Sequence, residues 1–246
     1  MKTINYEQLT YDALNKPGML SDCFKTFYNY STPNRWLAIT QLGAAQPINT
    51  YRGWQALGRQ VKRGSKAIAL RMPVTIKDKE TGDIEGMAFI FRNNWFGLHQ
   101  TDGAEYAAPL PPIFNIDIAL RELGITKEPF NYMDGNAMGY AKPNKDIIAI
   151  NPIDPSPFKT IIHELAHCLL HKNDALLNNT LTADVRELEA ELTAYIVTAT
   201  LCPDMDLSDS RGYIQNWMRD NTKEKLRYSA VYSAVDKIIK AGTKAE

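Results

Sequence analysis

Cysteine is scarce in this chain. Cys23, Cys168 and Cys202 are the only three; they stand far apart, and none belongs to a Cys-x-x-Cys pair. That excludes a disulfide scaffold and a cysteine-based zinc cluster, and makes a reducing, cytoplasmic setting the expectation. No apolar run approaches the roughly 20 residues that a bilayer-spanning helix needs, and the opening Met1 to Tyr6 lacks the apolar core of a signal peptide. No membrane is therefore expected among the partners. Net charge is missing too, because 28 Lys/Arg balance 28 Asp/Glu. There is no internal repeat and no low-complexity tract. What remains is an ordinary globular composition, 44% hydrophobic and 23% charged over 246 residues, with room for one large domain or two small ones.

The charge balance hides an asymmetry. Residues 1–110 carry 13 basic and 9 acidic residues, so the remaining 15 basic and 19 acidic fall in 111–246. From Tyr51 to Lys77 there are seven basic residues and no acidic one. The two parts thus offer surfaces of opposite sign to different partners.

Along the chain, residues 1–30 carry apolar side chains at helical spacing (Leu9, Ala13, Leu20, Phe24, Phe27), interrupted at Pro17-Gly18. A short helix is predicted from Trp54 to about Gln60, followed by a basic turn at Arg63-Gly64-Ser65. Ala67 to Val74 and Gly86 to Phe91 read as paired strands joined by the polar tip Lys77 to Asp83, with Trp95 to Leu98 continuing the sheet. Pro109, Pro111 and Pro112 mark the domain boundary. Beyond it come a helix at 114–124, two short strands at Gly139 to Ala141 and Ile147 to Ile150, and a helix opened by Ser156-Pro157. A helix capped by Thr182 runs to about Leu201, and two amphipathic helices follow at Ser210 to Met218 and Thr222 to Lys240. The fold class is therefore α+β. A small mixed α/β domain with a short antiparallel sheet is expected over 1–108, and a mainly helical domain with a small β edge over 113–246.

Histidine is also rare, but three of the four stand within nine residues, in His163-Glu164-Leu165-Ala166-His167-Cys168-Leu169-Leu170-His171. On a helix, positions i and i+4 share a face, so His163 and His167 can aim at one point. Two such imidazoles supply half of a tetrahedral zinc shell, with Glu164 beside them as a general base for an activated water. This is the zincin signature, and it makes the second domain zincin-like, with one Zn2+ per chain and peptide-bond hydrolysis as the expected chemistry. The alternative, a helix that merely carries histidines, leaves the next acidic cluster unexplained.

That cluster is Arg186-Glu187-Leu188-Glu189-Ala190-Glu191. Glu187 and Glu191 lie on one face, where two like charges disfavour a bare helix and a divalent cation would reverse the sign. Either acid can supply the third donor. The pattern Glu-x-x-x-Glu of many zincins implies Glu187 as the ligand and Glu191 as the acid that braces a ligand histidine. Glu189 points elsewhere and reads as a solvated charge. His171 lies about 12 Å along the axis from His163 and reads as a helix-end residue interacting with the dipole, or as one that lines the site. Cys168 reads as a core thiol, and Tyr140 or Tyr195 could steady an oxyanion.

In the first domain, basic residues interleave with aromatics, a pattern suited to single-stranded nucleic acid: phosphates meet cations, and bases stack on rings at about 1–3 kcal/mol each. Arg52, Trp54, Arg59, Lys62, Arg63, Lys66, Arg71, Trp95 and Phe96 are the candidates. Equally, Trp36, Trp54, Phe89 and Phe91 could form a small core while the lysines only solubilise.

The stretch Tyr51-x-Gly53-Trp54-x-x-Leu57-Gly58-Arg59-x-Val61-Lys62-x-Gly64-x-Lys66 resembles the N-terminal single-stranded-DNA-binding domain of ArdC-type antirestriction proteins. Phe27-Tyr28-Asn29-Tyr30-Ser31 and Gln100-Thr101-Asp102-Gly103 fit the same pattern. Gly139-Tyr140, the His163 to His167 motif, Glu187-x-x-x-Glu191 and Tyr213-Ile214-Gln215-Asn216-Trp217 resemble that family's metallopeptidase domain. Cys168 departs from the aromatic residue usual after the second histidine. The resemblance implies a DNA-binding zinc metallopeptidase of a mobile element, plasmid or phage, acting on an unknown protein substrate. A DNA shield with structural zinc, and a regulatory protease that cuts a repressor, are the alternatives.

Overall fold

The structure, a computed structural model, describes residues 3–16, 18–79, 81–131, 137–172, 181–219 and 226–244. It divides into two compact units. The first comprises residues 1–4 and 22–111; the second comprises 5–21 and 112–246.

In the first unit, helix α3 (Thr32–Leu42) is followed by β1 (Ile48–Thr50), the short helix α4 (Tyr51–Ala56), β2 (Arg59–Val61), the long hairpin β3 (Ile68–Lys77) and β4 (Ile84–Gly97), and β5 (Thr101–Gly103). The strands form an antiparallel sheet in the order β1-β4-β3, and β2 pairs with β5. Trp95 and Phe96 belong to β4 itself, so what reads as two sequence segments is one strand of 14 residues. The hairpin turns where Asp78 Oδ1 accepts from Thr81 N and Gly82 takes φ 76°. β3 ends the sheet, and α3 closes its open edge with side-chain amides. Asn34 exchanges hydrogen bonds with both backbone groups of Arg71, and Gln41 does the same for Ala69. Two helical turns on α3 thus match one strand repeat, which blocks edge-to-edge association. The predicted helix at Trp54 to Gln60 starts and ends earlier, at Tyr51–Ala56, because Thr50 caps it through Gly53 N and Gly58 (φ 71°) turns the chain into β2.

In the second unit, α1 (Tyr6–Asn15) joins α5 (Ile116–Leu123), β6 (Thr126–Lys127), β7 (Gly139–Lys142), β8 (Ile147–Ile150), α6 (Pro157–Leu170), α7 (Ala183–Leu201), α8 (Ser208–Arg219) and α9 (Tyr228–Gly242). Helix α2 (Met19–Phe27) begins in this unit and ends in the first. The expectation that residues 1–108 form one domain is corrected here. Residues 5–21 go with the second unit because Tyr6 stacks on Tyr232, Thr10 hydrogen-bonds its hydroxyl at 3.0 Å, and Tyr195 OH donates to Ala13 O. The sheet runs β6-β8-β7, leaving β7 on the outside. Helix α7 is buried on nearly all sides, from Val185 through Thr200, so it lacks the polar stripe of a surface helix and acts as the core helix of its unit. The predicted start of the last helix at Thr222 lies outside the described residues. Among the described residues, no helix is long and apolar enough to cross a membrane.

Candidate metal centre

Helix α6 positions the histidines. Pro157 sits at its first turn, Ile161, Ile162, Leu165 and Ala166 bury one side, and the polar residues His163 and His167 fall at the border of that side. α6 packs on α7 and under β7. Thr182 caps α7 through Val185 N, which sets the phase that brings Glu187 opposite the two imidazoles.

His163 Nε2 and His167 Nε2 lie 3.1 Å apart. One Glu187 oxygen lies 3.4 Å from His163 Nε2 and the other 3.5 Å from His167 Nε2. Zinc in a tetrahedral shell, with bonds of about 2.0–2.1 Å, keeps neighbouring donors roughly 3.3 Å apart. The two imidazole nitrogens match that edge and each has one Glu187 oxygen close to the same distance, so the donor set fits such an ion. Among the described residues, His163, His167 and Glu187 are the group that could hold one, their donor atoms all within 4.8 Å of one another.

The surroundings are electrostatically tuned. Burial works against a charged His163, but hydrogen bonds to Glu187 and Glu191 outweigh it and hold its pKa at about 9. Hydrogen bonds from His163 and His167 hold the Glu187 carboxyl well below the usual carboxylate range, burial opposing them. Glu191 stands behind the cluster, accepting from His163 Nδ1 at 3.1 Å, Lys159 Nζ at 2.7 Å and Ser210 Oγ at 2.5 Å. Burial raises its pKa, but these donors hold it at about 2.

Glu164 is 7% exposed and faces the same cleft of about 620 Å³. Burial raises its pKa, tempered by His163 and His167. Gly139 of β7 lies against it: a Cβ there would stand 2.8 Å from Glu164 Oε1. Tyr140 lines the cleft, its hydroxyl donating to Glu128 Oε1 at 2.8 Å. Tyr195 does not face the cleft, being 6% exposed with its hydroxyl directed at Ala13 O.

One expectation changes: Glu189 is not solvated but fully buried. His171 does end its helix, as read, and lines the same cleft while being 1% exposed. His171 Nδ1 meets His167 Nδ1 at 3.0 Å, and its Nε2 meets Glu189 Oε2 at 3.1 Å. Glu189 also binds the guanidinium and backbone N–H of Arg227. The signal for this network lay in the i, i+8 spacing of His163 and His171, whereas Arg227 carried none. Cys168 is a buried thiol, as read from the sequence.

The candidate DNA-contacting residues divide. Trp54 is fully buried and donates from Nε1 to Phe96 O, and Trp95 is 6% exposed; neither ring can stack on a base. Arg59 is spent internally on Thr101 and the carbonyl of Ala104. Arg71 stacks over Phe89 at 3.9 Å. Arg52, Lys62, Arg63 and Lys66 are exposed and Phe96 is half-buried. Lys62, Arg63 and Phe96 line a depression of about 600 Å³ with Tyr51, a ring the sequence reading did not single out.

Residues 121–236 match the family model Peptidase_M78, described as the IrrE N-terminal-like domain. The metal-free crystal structure of the antirestriction protein ArdC from plasmid R388 superposes with a TM-score of 0.57, covering 98% of this chain and 96% of that one at 21% identity. The chain has the ArdC fold. The Mn(II)-bound structure of R388 ArdC gives a TM-score of 0.55 at 20% identity, covering 98% and 99% of the two chains. An uncharacterized Sinorhizobium fredii protein, y4eC, is 26% identical over 244 residues, 87% of this chain and 75% of its own length. In this chain, the Peptidase_M78 match spans α6 and α7 and so contains the whole metal-type cluster.

Proposed function

We propose that this protein is a zinc-dependent peptidase-like antirestriction protein that binds single-stranded DNA. The observation that carries the reading is the convergence of His163 Nε2, His167 Nε2 and Glu187 at tetrahedral spacing beside a buried glutamate. In this reading His163, His167 and Glu187 hold the ion, and Glu191 braces His163. A bound zinc ion supplies Lewis acidity and lowers the pKa of water toward neutrality. Glu164, its pKa raised by burial, is suited to accept a proton from the attacking water on a carboxylate oxygen and return it to the departing amine. β7 offers an outer strand edge along the cleft, through Gly139, Tyr140 and Ala141. An extended peptide added there would carry its scissile bond past Glu164. In the first unit, Arg52, Lys62, Arg63 and Lys66 would meet phosphates, with Tyr51 and Phe96 as the rings beside them.

Two measurements test this. Purified protein should carry one zinc per chain, and His163→Ala should lose it; a wild type without stoichiometric metal overturns the metal reading. Transfer of unmodified DNA into a restricting host should be protected by the wild type and not by Glu164→Gln. Full protection by Glu164→Gln with its metal retained would exclude hydrolysis and leave a DNA-shielding protein with structural zinc.

A further inference from the structure

The charged and buried groups behind His167 form an ordered chain. Glu189 has no exposure and Arg227 covers it from the N-terminus of α9 through Nε, Nη2 and its backbone N–H, while Nη2 also reaches Leu170 O at the end of α6. This clamp keeps Glu189 an anionic acceptor, and an anionic carboxylate accepts hydrogen bonds and donates none. The His171 nitrogen 3.1 Å from it, Nε2, must therefore carry a hydrogen. In a neutral imidazole the other nitrogen is then a bare acceptor. That acceptor, Nδ1, sits 3.0 Å from His167 Nδ1, which then carries a hydrogen there, so a neutral His167, the form that can bind an ion, has its free lone pair on Nε2. A bare Nε2 is what a metal ligand requires.

We propose that His171, fixed by Glu189 and Arg227, is a positioning residue that sets which nitrogen of His167 is available to the ion. The proposal rests on the metal reading above. The opposite arrangement, with the hydrogen on His171 Nδ1, would put a bare nitrogen against the Glu189 carboxylate and a hydrogen on His167 Nε2, pointing into the cluster. Glu191 does the corresponding work for His163 Nδ1 directly, so one ligand is braced by a carboxylate and the other by a carboxylate acting through an intervening imidazole.

The chain predicts a distinction between two substitutions. Glutamine at 171 offers both an acceptor for His167 and a donor for Glu189, whereas phenylalanine fills the space and offers neither. Zn2+ affinity, measured by competition with a chromophoric chelator, should fall about 10–100-fold in His171→Phe and recover most of that loss in His171→Gln. The visible spectrum of the Co2+-loaded protein should change in the phenylalanine variant alone. If both variants bind as tightly as wild type, or both weaken equally, the positioning role is overturned. If wild type binds no Zn2+, the metal reading itself has failed. Should His171→Phe not fold, long-range 1H–15N correlation spectra of the wild type decide: hydrogen on Nε2 of His171 and Nδ1 of His167 upholds the proposal, and hydrogen on Nδ1 of His171 overturns it.

Discussion

Gly139 and Glu164 are in direct opposition: the space a side chain would occupy at 139 is filled by the Glu164 carboxylate, 2.8 Å from where a Cβ would stand, and by Thr160 Cγ2 at the same distance. Gly139→Ala must therefore displace the glutamate or the strand. Overpacking of this kind costs about 1–3 kcal/mol. Urea unfolding should register that loss, while zinc stoichiometry should hold, because the atoms nearest that Cβ belong to Glu164 and Thr160 and not to His163, His167 or Glu187. Unchanged stability would mean that β7 yields freely.

The two acids of the Glu-x-x-x-Glu pair should separate on titration with Zn2+. Glu191→Gln takes away the negative charge behind His163 and the ion pair with Lys159 while leaving the ligand set intact, and is expected to weaken binding about 10–100-fold. Glu187→Gln removes a donor and should weaken it further. The reverse order would make Glu191 the ligand.

Single-stranded DNA binding should be abolished by the double substitution Lys62→Glu with Arg63→Glu, with the fold retained, since both side chains are exposed and Lys62 gives up only a surface ion pair with Asp102 and a hydrogen bond to His99 O. In wild type, log affinity should fall with log salt at a slope near −0.7 per phosphate contacted. Trp54→Ala should behave differently. It empties a fully buried site and is expected to cost about 3–5 kcal/mol in stability. An intact, DNA-deficient Trp54→Ala protein would contradict the core assignment.

The thiols give a pH test. Burial pushes Cys23 and Cys168 up to about 12 from an ordinary value near 9. Between those values the unfolded chain has lost these protons and the folded chain keeps them, so stability falls as pH rises from about 9 toward 12. Denaturant midpoints should drop across that window, and Cys23→Ala with Cys168→Ala should flatten the drop. At pH 8, a thiol-specific disulfide reagent should spare Cys23 and Cys168 in the native state and titrate all three cysteines in denaturant.

The sequence by itself determined whatever depends on short-range periodicity. His163 and His167 share a face because a helix repeats every 3.6 residues, and Ser156-Pro157 and Thr182 mark where α6 and α7 begin. The same spacing put Glu187 and Glu191 on one face, and short apolar runs bounded by turn residues revealed β3, β4 and β8. The tertiary structure decided what depends on packing between distant segments. Burial of Trp54 and Trp95 follows from how β4 and the Trp54 helix pack within their unit, and no local pattern separates a core aromatic from a stacking one. Residues 5–21 join the second unit through Tyr232, more than 200 positions away. Glu189 reads as solvated because charge normally is; only the arrival of Arg227 from α9 makes its burial affordable, and that meeting is a property of three packed helices rather than of any stretch of chain.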